Sequence, residues 1–426
     1  MRWARMRRTA LALAVCLTAP TLMTGTARAA DPLVASFERF PISAVALHDD
    51  PSVVPPPLIS TRDGTSWVRG FHEGALGLVR IGSRGDVERF ALPDVDITSQ
   101  PYGPLTVLAD GSVGFVAPRR TTRDGPGGDS LVEWVLVRMA PTGSVPTVTP
   151  LVETPWVSSQ AVLAVDGTAW IASDCRHRIV HVTPGGRVAR FRVPGRRCKP
   201  ALQPQPRLAI GQDGTVWYVD LAEGVIARFA RNGGQRSWRY VPRRSAYVPP
   251  TRRIPPTPIH ATSGGGLRFP GGRIDAGGAL RLDGSAAPHV VTSDGAVWTV
   301  VGPATVERVR HAATRRFTLP ESSGTLIGWT AGPDGRFWYL AGRTRFGMPR
   351  RTWDVRIGAI DAGGRIEEQA LPPADPAVAG PTLTTLPWMT AGPDGTIWVG
   401  EVRILVAHPD ASVSDLLRVA PFRPTG

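Results

Sequence analysis

Residues 166–173 read DGTAWIAS, and this stretch decides the fold. The same phrase recurs as DGTSWVRG from Asp63, DGSVGFVA from Asp110 and DGTVWYVD from Asp213. It returns as DGAVWTVV from Asp294, DGRFWYLA from Asp334 and DGTIWVGE from Asp394. Six of the seven copies place Trp at one offset: Trp67, Trp170, Trp217, Trp298, Trp338 and Trp398. Gly114 followed by Phe115 stands there in the second copy. Asp-Gly is the signature of a tight turn between two antiparallel strands, because glycine accepts positive φ. A Trp at a fixed distance behind it supplies a flat ring for packing between stacked sheets.

A short apolar strand precedes each turn, as in Leu208-Ala209-Ile210, and a second hairpin follows. In the third copy that hairpin is Arg178 to Val182, the turn Thr183-Pro184-Gly185-Gly186, then Arg187 to Phe191. Each unit therefore holds four antiparallel strands, and five of the six intervals between successive Asp-Gly turns are 40–60 residues. That is the spacing of a β-propeller, whose radially stacked blades cover both faces of each sheet and leave only short edges. Residues 34–41, VASFERFP, look like an outermost strand and are expected to pair with the last unit and close the ring. The long interval holds a Pro/Gly-rich segment, 243–287. Gly265-Gly266-Leu267-Arg268-Phe269 faintly copies the phrase there, but only 29 residues separate it from Asp294. The expectation is an all-β, seven-bladed propeller over residues 30–426, with 243–287 as an insertion before the fifth repeat; a decayed eighth unit within that insertion is the alternative.

Composition agrees. In 426 residues, 47 Gly and 42 Pro argue against a helical bundle, and 42% apolar residues suffice for a sizeable core. Residues 1–29 read as a secretory signal. Arg2, Arg5, Arg7 and Arg8 precede the apolar run Leu11 to Leu22, and Ala27-Arg28-Ala29 offers a cleavage site. A secreted, extracellular protein is expected, with no membrane span after the leader. The formal charge of +14 includes five leader arginines, and one lysine stands against 48 arginines. That skew matches GC-rich coding better than selection for phosphate contacts, so nucleic acid is not expected as a partner. Cys175 and Cys198 remain after cleavage and are expected to form a disulfide in an oxidising compartment.

The channel mouth, on the face opposite the Asp-Gly turns, is where polar groups from several blades can converge. His48 enters the first repeat, and His72 and Glu73 follow its Trp strand. Asp220 and Glu401 end the Trp strands of the fourth and seventh repeats, and His289 enters the fifth. His289 is the candidate base, with Glu401 and Asp220 as candidate metal ligands. Ile327, Trp329 and Trp388 join His48, His72 and Glu73 as candidate binding residues.

The repeat resembles the streptogramin B (virginiamycin B) lyases. The resemblance rests on residues 330–338 (TAGPDGRFW), residues 390–398 (TAGPDGTIW) with Glu401 at the acidic offset, and the outer-hairpin motifs 356–360 (RIGAI) and 364–368 (GRIEE). It implies a seven-bladed propeller and a magnesium-dependent carbon–oxygen lyase that linearises a cyclic depsipeptide. It also implies a base and cation ligands on Pro-His-x-Ile loops. Residues 288–291, PHVV, match such a loop, whereas Ile327 and Pro387 occupy the equivalent places in the next two repeats and Leu386 replaces an acid. The reading is therefore a divergent, monomeric propeller that lacks the full lyase centre and binds a small molecule or peptide at its mouth. The alternative is a magnesium-dependent lyase of that type, or a lactone hydrolase.

Overall fold

The computed structural model describes residues 34–42, 58–72, 75–92, 95, 103–124, 130–143, 145–155, 159–173, 178–194, 207–211, 213–220, 223–230, 234–240, 259–262, 265–269, 271–282, 289–310, 313–344, 353–371, 382–385, 388–393, 395–405 and 412–421. They form eight antiparallel sheets. In chain order these are blade 1 (58–91), blade 2 (106–155), blade 3 (159–192), blade 4 (207–239), blade 5 (260–282), blade 6 (289–318), blade 7 (325–370) and blade 8 (382–421). The described helical structure is one 3₁₀ turn, Glu321–Ser323. No described helix is long and apolar enough to cross a membrane.

The expected propeller of four-stranded antiparallel blades is present, blade 8 counting a fifth strand because Thr382–Thr385 and Trp388–Ala391 both pair with Ile397–Leu405, and seven blades carry the seven Asp-Gly phrases. The segment expected as an insertion contributes a further four-stranded sheet, blade 5, so the ring counts eight. Its strands are His260–Ala261, Leu267–Phe269, Gly272–Ile274 and Leu280–Leu282. Strands of two or three residues joined by tight turns at Gly265, Gly271 and Gly278, all with positive φ, fit where full-length strands would not. Ordinary blade strands run to five or six residues, and that length led to the count of seven.

Apolar contacts between neighbours run round the ring. Trp67 of blade 1 packs with Val113 and Phe115 of blade 2. Trp170 meets the Phe229 layer of blade 4, and Trp217 covers Leu267 and Ile274 of blade 5. Trp298 stacks on Phe337 of blade 7, with ring centroids 5.3 Å apart. Trp338 packs with Met389 and Val399 of blade 8, and Trp398 packs with Leu58, Val68 and Ile81 of blade 1. The last contact closes the ring. The closing strand Val34–Ile42 pairs antiparallel with Ser412–Pro421, as expected. Truncating one such Trp to Ala would cost about 3–5 kcal/mol.

The Asp-Gly hairpins are three-residue loops. The N–H of Thr61 donates to the carbonyl of Thr65 at 2.8 Å, and Gly64 takes positive φ. The Asp acts as a bracket, its carboxylate accepting the N–H two residues on. This bond measures 3.0–3.1 Å at Asp63, Asp110, Asp166, Asp213, Asp294 and Asp334. The third strand of the blade adds a cation that the phrase does not contain. Arg228 lies over Trp217 and pairs with Asp213, and Arg308 lies over Trp298 and pairs with Asp294 at 2.7 Å. Burial pushes the Asp213 and Asp294 carboxyls up, but hydrogen bonds from Thr215 and Thr292 and the neighbouring guanidiniums hold both below the usual aspartate value. His181 fills the cation's place over Trp170 in blade 3, with ring centroids 4.3 Å apart.

Candidate functional site

The first strand of each blade begins at the mouth face and ends at the Asp-Gly face. His289 is the first residue of blade 6 and is buried, 4% exposed. It pairs in register with Thr299, whereas its neighbour Val290 pairs with Trp298. Successive residues of a strand point to opposite faces. Because Trp298 faces blade 7, His289 faces blade 5. On blade 5, His260 pairs with Arg268, which occupies the position that Trp holds in six of the other blades. His260 therefore faces blade 6. The two imidazoles meet edge to face with centroids 5.1 Å apart.

This seam differs in kind from the rest of the ring. The blade 5 face offers His260 and Arg268, and the blade 6 face offers His289, Thr299 and Glu307. Burial holds the His260 imidazole below the usual histidine value, and a backbone hydrogen bond with His289 opposes that shift without reversing it. The Nε2 of His260 is buried and takes no hydrogen bond.

The other expected site residues are dispersed. Asp220 ends the second strand of blade 4 and is buried, 5% exposed. Its carboxylate accepts the N–H of Glu223 at 3.0 Å and stands 3.5 Å from the Tyr218 hydroxyl. Beside it, burial chiefly and the Asp220 charge secondly push the Tyr240 phenol well above its usual range. Ile327 sits at a bulge between Leu326 and Gly328, half-buried against the layer shared by blades 7 and 8. Trp329 packs into the layer between blades 6 and 7. Both contribute to packing between blades, and both are partly exposed. His72, Trp388 and Glu401 lie in strands 66–72, 388–391 and 397–405, their side chains outside the described residues. The register sets Glu401 opposite Asp415. His48, Glu73, Cys175 and Cys198 lie outside the described residues.

Magnesium prefers six oxygen donors. Among the described residues, an imidazole, a threonine and a guanidinium share the row of His289, and Asp220 is engaged on its own blade. Among the described residues, no three His, Cys, Asp or Glu side chains converge for a metal ion. The described residues do not fit that cation.

Two cavities open on the opposite, Asp-Gly face. One of about 420 Å³ lies between blades 6 and 7, lined by Asp294, Asp334, Arg336 and Asp361 among others. One of about 230 Å³ lies on blade 2 beside Asp110 and Arg138. The three carboxylates of the larger cavity bracket their own turns, accepting the N–H of Ala296, Arg336 and Gly364. They read as hairpin structure. Sequence reasoning missed His260 and Arg268. The one signal for them was the faint phrase at Gly265, in which Arg stands where Trp belongs.

No protein-family model matches the chain. No curated protein matches it either. Among solved structures it is similar to a streptogramin B lyase, at 16% identity over 91% of this chain and 100% of that one, with a TM-score of 0.45. It is similar to the virginiamycin B lyase of Staphylococcus aureus, at 16% identity over 89% and 99%, TM-score 0.44. It is also similar to a fungal alcohol oxidase of the AA5 family solved with copper, at 13% identity over 92% and 78%, TM-score 0.50. At these identities the likeness is one of fold.

Proposed function

We propose that this chain is an exported propeller that binds a ligand at its channel mouth and does not perform the lyase elimination. One observation carries the reading: the only expected base, His289, stands against a second imidazole on a row that continues into Arg268. Elimination next to a carbonyl requires a base to remove the proton and a cation to steady the resulting oxyanion. A neighbouring imidazole and guanidinium supply no carboxylate ligands for a divalent ion. Ile327 and Trp329, each partly exposed beside that mouth, favour a ligand with an apolar part. A small molecule or short peptide suits a concave mouth with two apolar side chains beside it.

The test is incubation of residues 30–426 with streptogramin B, with and without magnesium, followed by mass spectrometry. Recovery of the intact cyclic antibiotic is expected in both arms. A linearised product that disappears in H289A would overturn the reading and restore the lyase, and an added mass of one water would restore the hydrolase.

A further inference from the structure

Blade 5 carries a second feature, set outward from the mouth and independent of what binds there. His260 pairs with Arg268, Arg268 with Arg273, and Arg273 with Arg281. Residues paired across antiparallel strands point to the same face, so one row of cationic or titratable groups crosses the whole blade. Neighbouring strands lie about 4.8 Å apart, so the three arginines form a ladder roughly 10 Å long.

Like charges directly opposite one another are unfavourable in a sheet. Elsewhere in the ring the third-strand arginine is neutralised by the turn aspartate and covers a Trp, as Arg228 and Arg308 do. Blade 5 has neither device. Gly264-Gly265 stands where Asp-Gly would be, and Arg268 stands where Trp would be. Among the described residues Arg273 and Arg281 form no ion pair, and both are exposed. The facing row on blade 6 runs His289, Thr299, Glu307 and Arg316. Its single carboxylate, Glu307, already accepts from Arg316 Nε at 3.0 Å. Among the described residues these two rows thus carry four guanidiniums and one carboxylate, held on rigid strands at sheet pitch.

We propose that this ladder is a binding site for a ligand bearing several closely spaced oxyanions. Guanidinium forks take phosphate or carboxylate oxygens two at a time, and their planar geometry is preorganised for it. A single anion satisfies one rung. A chain of anions about 5 Å apart engages Arg273 and Arg281 together, and this selects oligophosphates or oligouronates over isolated ions. The proposal goes beyond ligand binding at the mouth and is tested without reference to it.

The test is titration calorimetry of the full mature chain with two probes, tripolyphosphate and trigalacturonate, with orthophosphate as the single-anion control. At least one probe is expected to saturate at one per chain and to bind tenfold or more tighter than orthophosphate, weakening as salt rises from 50 to 200 mM. The arm that binds identifies the anion as phosphate or carboxylate. The double variant R273Q/R281Q is expected to lose tenfold or more in affinity. Its melting temperature without ligand should equal or exceed that of the wild type, since a like-charge contact has gone. R190Q/R192Q, which removes exposed arginines from blade 3, is expected to bind as the wild type does. Failure of both probes to saturate overturns the proposal. So does an equal loss in R190Q/R192Q, which would mark a diffuse charge effect, or a lower melting temperature in R273Q/R281Q, which would mark the ladder as structural.

Discussion

His260 of blade 5 and His289 of blade 6 touch edge to face, 5.1 Å between ring centroids, at the innermost end of the seam between those blades. Aromatic edges prefer ring faces, so the contact is favourable while both rings are neutral. Protonating either would place a cation beside Arg268 and Arg273 on one face and Arg316 on the other, with Glu307 the only carboxylate on these rows among the described residues and already engaged.

A pH dependence follows. Burial holds His260 below its usual value of 6.5, so between that value and its own the unfolded chain binds more protons than the folded one. The stabilisation is complete above about pH 6.5 and is lost as pH falls through the folded-state value. His181 is also held low, by burial, with Asp166 opposing, and adds a decline of the same sign. Urea midpoints at pH 7.5 and 5.5 should show the wild type weaker at pH 5.5, with a smaller difference in H260F. An unchanged difference in H260F would assign the whole effect elsewhere.

Truncating the turn aspartates separates buried from exposed ion pairs. Arg308 has a side chain only 9% exposed and pairs with Asp294, whereas the Arg138–Asp110 pair has side chains 46% and 49% exposed. Both aspartates also bracket their hairpins, so that loss is shared. D294A leaves a buried guanidinium over Trp298 without its partner and should cost about 3–5 kcal/mol. D110A should cost about 1 kcal/mol, mostly through the turn. Chemical denaturation of the two variants checks the ranking, and equal losses would show that the third-strand arginine adds nothing.

The repeat was legible because each unit carries the same local instructions: a glycine at positive φ, an aspartate that brackets it and a Trp two strand positions beyond. Strand order and ring closure followed, since VASFERFP could pair only as an outer strand. Blade 5 was hidden because it has lost both marks. Its turn has glycine in place of Asp, its Trp position holds Arg268, and its strands are so short that the interval appeared too small. The candidate site was less legible for a related reason. His289 could be placed at the mouth from its offset alone, but its partner His260 lies one residue out of phase with it and on a different blade. Only the alternation of faces brings them together. Arg228 and Arg308 escaped notice because they belong to the third strand, outside the repeated phrase.

Blade 7 solves the Trp–cation pairing differently, and this gives a rescue experiment. The third-strand position opposite Trp338 is Ala359, and the cation comes instead from the phrase itself. Arg336 lies 4.8 Å over the Trp338 ring and pairs with Asp334 at 2.5 Å. R336A should cost about 1 kcal/mol, the sum of a cation–π contact and a partly exposed ion pair. Adding A359R to that background places a guanidinium where Arg308 stands in blade 6 and should recover at least half of the loss. In the wild type, A359R should destabilise instead, because Ala359 is buried and the ring face is already covered. Urea midpoints of the three variants decide it, and a double variant weaker than R336A would refute the equivalence.

Ring closure depends on the first described strand. Val34–Ile42 runs antiparallel to Ser412–Pro421 through eight paired positions, from Val34 opposite Pro421 to Ile42 opposite Ser414. It is the outermost strand of blade 8, so the blade is assembled from the two ends of the described chain. Without it, the strand Ser412–Pro421 becomes a ten-residue sheet edge with one side unpaired. Unpaired edges of that length recruit other strands, including those of a second copy. A chain beginning at residue 43 should therefore associate in a concentration-dependent way, measurable by light scattering between 1 and 50 μM, while the chain beginning at residue 30 should scatter in proportion to its concentration alone. Adding a synthetic peptide of residues 34–42 should suppress the association, since it restores the missing backbone partner without covalent continuity. Monodisperse behaviour of the shortened chain would show that blade 8 is complete without that strand and that Trp398 packed against blade 1 closes the ring unaided.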